Sequence, residues 1–92
     1  MRKIIAVDID RTLTRSVSFT NSDVRKAVPI PSKIRKVNKL YETNYIIIYT
    51  ARRNHLVEAT LNWLKKHDIH YHAFSNHKIP FDIYLDDDAH PL

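Results

Sequence analysis

The sequence predicts an α/β domain, a small Rossmann-like three-layer sandwich built on a mainly parallel four-stranded sheet. Three observations carry this. Short β-branched runs alternate with segments of helical period, the pattern of strand–helix–strand crossovers within one sheet. Acidic and hydroxyl residues gather where those runs stop, and open parallel sheets place their ligands at that edge. A chain of 92 residues with 43% hydrophobic content has material for one core and no second domain, so a single minimal domain over 1–92 is expected.

The elements follow in order. Lys3 to Ile9 is short, β-branched and ends abruptly at Asp8-Ile9-Asp10, which reads as a buried strand. Arg11 to Val28 has no clean period and is rich in Ser, Thr, Asn and Asp, so it reads as a loop with room for a small hairpin. From Ser32 to Tyr41 the apolar residues Ile34, Val37, Leu40 and Tyr41 share one helix face. Pro31 sits where a first turn tolerates it, and Asn44 is placed to end that helix in the left-handed conformation. Tyr45 to Tyr49 is a second buried strand, stopping at Thr50. Asn54 is the expected N-cap of a helix from His55 to Lys66, with Leu56, Val57, Thr60, Leu61, Trp63 and Leu64 as its stripe. His70 to Phe74 is a weaker third strand. Ile83 to Leu85 is a fourth, ending at Asp86-Asp87-Asp88.

Composition excludes several chemistries. The chain has no cysteine, hence no disulfide, no thiol nucleophile and no cysteine-ligated metal. It has no glycine, hence no Walker A loop, dinucleotide fingerprint or nucleophile elbow. Its longest apolar runs, Ile4 to Val7 and Tyr45 to Tyr49, are too short to cross a bilayer. Met1-Arg2-Lys3 does not open a signal peptide. A cytoplasmic protein without a membrane partner is the expectation.

Of ten acids, five are Asp8, Asp10, Asp86, Asp87 and Asp88. If the first and fourth strands are neighbours, their ends bring several carboxylates together, and a hard cation offsets the repulsion. Carboxylate and carbonyl oxygens with water and phosphate suit Mg²⁺, whereas no histidine pair with metal-ligand spacing accompanies them. Residues two apart on a strand face the same way. One of Asp8 and Asp10 can therefore attack phosphorus while the other supplies a proton to the leaving oxygen. Thr50 offers a hydroxyl to phosphate, and Lys78, in the approach to the fourth strand, can neutralise charge.

Asp8-x-Asp10-x-Thr12, Thr50 after an apolar strand, Lys78, and a strand ending in Asp86-Asp87 together resemble the four motifs of the haloacid dehalogenase superfamily. Pro29-Ile30-Pro31, Ile46 through Arg52, Trp63-Leu64, Tyr71-His72 and Lys78 through Ala89 narrow the resemblance to very small, capless phosphatase-like members associated with capsule or surface-polysaccharide biosynthesis. It covers nearly the whole chain. It implies that Asp8 is a nucleophile forming an aspartyl-phosphate and that Asp10 is the general acid, then the base that activates water. It also implies Mg²⁺ held by Asp8, the Asp10 carbonyl and Asp86, with Asp87 as a ligand through water or a second acid beside the metal. Thr50 then binds the phosphate and Lys78 stabilises the assembly. No cap domain is expected, and Thr14 to Val28 is the candidate lid over an open site.

Arg11 stands where the family usually carries glycine; Asn44 and Asp68 are two further such positions. Arg11, Thr12, Ala51 and Arg52 are the candidate substrate contacts, Arg52 foremost because its guanidinium fork suits phosphate or carboxylate. The expected activity is a Mg²⁺-dependent phosphatase acting on a small phosphorylated metabolite such as a sugar phosphate. Two alternatives accompany it. One is a nucleic-acid end phosphatase using the basic stretch Arg25, Lys26, Lys33, Arg35, Lys36 and Lys39, weakened by the lack of a recognition motif or exposed aromatic run. The other is a non-catalytic metal- or phosphate-binding module, which has no need of the second acid. Exposed sheet edges raise self-association as a further expectation.

Overall fold

The computed structural model describes residues 2–77, 81–86 and 92. Four parallel strands form one sheet in the order β3-β2-β1-β4: β1 Ile4–Val7, β2 Tyr45–Tyr49, β3 Ala73–Ser75 and β4 Ile83–Leu85. Three helices connect or flank them: α1 Asn21–Lys26, α2 Pro31–Tyr41 and α3 Val57–Lys66, the last preceded by a single 3-10 turn over Asn54–Leu56. This is the α/β, Rossmann-like architecture that the alternating pattern predicts. No described helix is long and apolar enough to cross a membrane.

Strand alternation sorts the core. Ile5 and Val7 of β1 and Ile46 and Ile48 of β2 lie on one face and are buried with Val37 of α2 and Trp63 and Leu64 of α3. The opposite face carries Tyr49 and Tyr84, whose rings meet edge to face at 5.7 Å with Phe81 beside them. Trp63 is a core residue, 3% exposed, and its indole N–H donates to the Ala27 carbonyl at 3.1 Å. α2 starts with Pro31 in its first turn and turns Arg35, Lys36 and Lys39 to solvent. That part of the basic stretch is therefore an exposed helix face.

Three local expectations need correction. Asn44 does not end α2 in the left-handed region; it folds back instead, donating from its backbone N–H and its side-chain amide to the Leu40 carbonyl. Among the described residues only Arg11 and Asp68 have positive φ. Asn54 does not cap a helix with its side chain, because its Oδ1 accepts from the Asn76 amide at 2.7 Å. The third strand is shifted to Ala73–Ser75.

The segment from Arg11 to Val28, read as a loop, contains α1. Thr20 caps that helix: its hydroxyl accepts from Asp23 N–H, and the Asp23 carboxylate accepts from Thr20 N–H, both at 3.1 Å. An isolated bridge between Thr14 and Pro29 closes the base of the excursion. The hydrogen bond from Phe19 N–H, then that from Thr20 N–H, hold the Asp23 carboxyl below its ordinary value of 3.8. A depressed carboxyl contributes stability that is present above its unfolded value and lost as pH falls through the folded one. Chemical denaturation should therefore show wild type more stable than Asp23→Asn by a constant margin at neutral pH. That margin should close as the solution is acidified below about pH 4, the ordinary carboxyl range. A margin that persists in acid contradicts the assignment.

Candidate active site

The chemistry-bearing residues meet at the carboxyl edge of the sheet. Asp8 and Asp10 follow β1, Thr50 and Arg52 follow β2, and Asp86 follows β4. Val7 pairs with Leu85, and Asp8 N–H donates to the Leu85 carbonyl at 3.0 Å. Asp8 and Asp86 are thus the next positions along two adjacent strands, and both are half-buried. Lys78 and Asp87, which the resemblance gives roles, lie outside the described residues, as do Asp88 and His90.

Beyond Asp8 the chain winds tightly. The N–H groups of Thr12, Leu13 and Thr14 all donate to the carbonyl of Ile9, at 3.1, 2.8 and 3.2 Å. That winding requires left-handed backbone at Arg11, with φ of 63°. A side chain there costs about 1 kcal/mol, which is the physical reason glycine suits this position. Arg11 itself is exposed. Thr12 is 3% exposed, and its hydroxyl is buried without a protein hydrogen-bond partner among the described residues.

Asp10 meets a guanidinium. Its Oδ1 accepts from Arg52 Nη2 at 2.8 Å and from Ser18 N–H at 3.1 Å, and its Oδ2 accepts from Arg52 Nε at 3.2 Å. The Arg52 side chain is only 3% exposed, and its Nη1 donates to the Thr60 hydroxyl of α3 at 3.0 Å. Asn76 donates to the Arg52 carbonyl at 3.2 Å. Arg52 had been expected to reach for substrate; its fork instead clamps Asp10 from beneath. Thr50, 1% exposed, accepts Arg52 N–H on its hydroxyl oxygen at 3.1 Å, so the hydroxyl proton remains available for donation. The Thr50 N–H is committed to the Ser75 carbonyl. Ala51 is exposed at the mouth.

A cleft of about 520 Å³ opens over Asp10, within the range of small-molecule sites. Ser18, Phe19, Arg53 and His55 are among the residues that line it. Sequence reasoning singled out neither Phe19 nor Arg53 as a site residue, since both sit in stretches without period and only the folded chain brings them together.

The donor set also bears on a metal. Among the described residues no group of three or more His, Asp or Glu converges on one point. Two half-buried carboxylate residues at matching positions after adjacent strands fit Mg²⁺, which takes one or two carboxylates and keeps several waters. They do not fit a closed zinc site, which needs four nitrogen or sulfur ligands.

Comparison with known proteins adds to this geometry. The sequence model of the LNS2 domain, PITM 1-3, matches residues 5–88. No curated protein matches. Two solved chains share the fold. One comes from "Structure of the Pnkp1/Rnl/Hen1 RNA repair complex", with TM-score 0.68 and 16% identity over 96% of this chain and 27% of that one. The other comes from "Structure of Pnkp1/Rnl/Hen1 complex", with TM-score 0.70 and 17% identity over 97% of this chain and 30% of that one. This chain thus spans less than a third of either, and at such identities the likeness is one of fold.

Proposed function

The chain belongs to the LNS2 domain family, PITM 1-3, with a haloacid-dehalogenase-like phosphatase fold, and on that premise we propose that it is a Mg²⁺-dependent phosphatase hydrolysing a phosphomonoester through an aspartyl-phosphate on Asp8. The observation that carries the reading is the β1–β4 register, which sets Asp8 beside Asp86 at the edge where Asp10 and Thr50 also stand. The family matched is the LNS2 domain rather than the capsule-associated group that the motifs resemble, so no pathway is assigned.

In this proposal an Asp8 oxygen attacks phosphorus and the bond to the leaving oxygen breaks. Asp10 gives that oxygen its proton, releasing an alcohol. Water then gives a proton to Asp10 and attacks phosphorus, and the phosphorus–Asp8 bond breaks, freeing inorganic phosphate and restoring both acids. Asp10 Oδ2 accepts one hydrogen bond against two at Oδ1, which makes it the oxygen with room for the proton. Arg52, on both oxygens, and Ser18 N–H, on Oδ1, fix the orientation of the carboxyl group. Thr50 donates its hydroxyl to the phosphate. The Thr12 hydroxyl, which has no protein partner among the described residues, is a second donor, and a phosphate oxygen offsets the cost of its burial, about 1–3 kcal/mol. Asp8, Asp86 and the Asp10 carbonyl would hold Mg²⁺, which would lessen the repulsion between a carboxylate and an anionic phosphate. The roles of Lys78 and Asp87 rest on sequence order alone.

The test is phosphate release from p-nitrophenyl phosphate and a panel of phosphomonoesters, with and without Mg²⁺. Turnover that requires the metal supports the proposal. Metal-dependent thermal stabilisation with no release from any ester would instead identify a binding module.

A further inference from the structure

Phe19 is 74% exposed, the most exposed of the large apolar side chains described. Leaving such a ring in water forgoes about 2 kcal/mol of burial, yet its backbone is held on both sides. Ser18, 5% exposed, is tied to Asp10 by its N–H. On the other side, Phe19 N–H and Thr20 N–H both donate to Asp23 Oδ2 at 3.1 Å, within the cap of α1. The backbone that carries the ring is therefore fixed, and Phe19 and Asp10 line the same cleft.

That placement has a chemical consequence. In the mechanism proposed above, Asp10 protonates the leaving oxygen, so the leaving alcohol occupies Asp10's side of the phosphorus, which is this cleft. The cleft offers the alcohol an aromatic side chain at Phe19 and cationic or polar groups at Arg53 and His55, all among its lining residues. It offers few of the amides and carboxylates that would bind the hydroxyls of a sugar. An aromatic face combined with a guanidinium is the chemistry that takes a nucleobase and further phosphate. His55 also lines a second hollow of about 500 Å³ that includes Arg25 and Lys66, which extends the basic surface away from the cleft.

We infer that Phe19 is the platform for the leaving group and that the substrate is a nucleoside phosphate, with its base stacked on Phe19 and additional negative charge facing Arg53. The inference rests on the phosphatase reading and narrows it. A free nucleotide and the phosphorylated end of an oligonucleotide present the same chemistry at the cleft; the second hollow favours the latter.

The test measures kcat/KM for a nucleoside monophosphate, a short oligonucleotide with a terminal phosphate, and glucose 6-phosphate, in wild type, Phe19→Ala and Phe19→Trp. Wild type is expected to prefer at least one of the nucleoside substrates. In Phe19→Ala the preference over glucose 6-phosphate should fall about ten-fold, the scale of one base–aromatic stack, and Phe19→Trp should restore it. Because the ring is exposed, its removal should not shift the thermal midpoint. A wild-type preference for glucose 6-phosphate, or an equal loss on every substrate in Phe19→Ala, would overturn the inference while the phosphatase reading stands. Absence of release from all three while p-nitrophenyl phosphate or another phosphomonoester is hydrolysed with Mg²⁺ would overturn the inference alone; absence of release from every ester tested would overturn both.

Discussion

Asp8→Asn should abolish phosphate release, with single-turnover rates falling by about 10⁴-fold or more, while the protein stays folded. An amide oxygen has neither the charge nor the basicity to displace an alkoxide from phosphorus, and removal of a covalent nucleophile is among the largest single losses an enzyme suffers. One bond that holds the residue, its backbone N–H to the Leu85 carbonyl, is kept by an asparagine, which favours retention of the fold. The side chain is half-buried next to Asp86, so replacing a charge with a neutral group of the same shape also relieves like-charge repulsion when Mg²⁺ is withheld. Rapid-mixing phosphate assays and thermal melts on one preparation check both halves. A variant that retains a tenth of the activity contradicts the assignment of Asp8.

Arg52→Ala should be the most destabilising change at the site, costing about 3 kcal/mol and lowering kcat as well. Its guanidinium makes two hydrogen bonds to Asp10 and one to Thr60, with the side chain 3% exposed. Removing one partner of such a pair leaves a largely buried carboxylate without compensation and the Thr60 hydroxyl without a partner. In a domain of this size the loss corresponds to roughly 15 °C in Tm. Arg52→Lys should recover part of the stability, since an ammonium restores the charge, and little of kcat, since it cannot hold both Asp10 oxygens in a fork. Urea denaturation and steady-state kinetics separate the two effects. If Arg52→Ala costs less than about 1 kcal/mol, the scale of a surface pair, the clamp has no structural weight.

The strands and the site edge were legible in the sequence where burial dictates residue type. Tyr45–Tyr49 and Ile83–Leu85 were readable to the residue, because buried parallel strands are short apolar runs that stop at polar residues. The helix at Asn21–Lys26 was missed since it has six residues and one buried side chain, Val24, so it shows no period. Its capping box, Thr20 to Asp23, was present in the sequence and was the signal that could have found it. Arg52 was correctly picked out as unusual, but its direction was not, because its partner Thr60 lies eight residues away on a helix stripe counted as core. Arg11 is the reverse case. Its place at a position where the resemblance implies glycine is legible in the sequence, and the left-handed backbone that brings three N–H groups onto the Ile9 carbonyl explains it. Phe19 gave no sequence signal at all, as its exposure and its neighbours across the cleft exist only in the folded chain.

The central claim, that phosphate passes through a covalent bond to Asp8, is tested most directly by acid quenching during turnover followed by peptide mass spectrometry. Asp10→Asn with p-nitrophenyl phosphate is the combination to use, since that leaving group departs without a proton, while loss of the base slows hydrolysis of the intermediate and lets it accumulate. The account predicts a base-labile phosphate, approaching one per chain, on the peptide that carries Asp8. Phosphate release with no phosphorylated peptide at any quench time, or a stable phosphate on another residue, would contradict it.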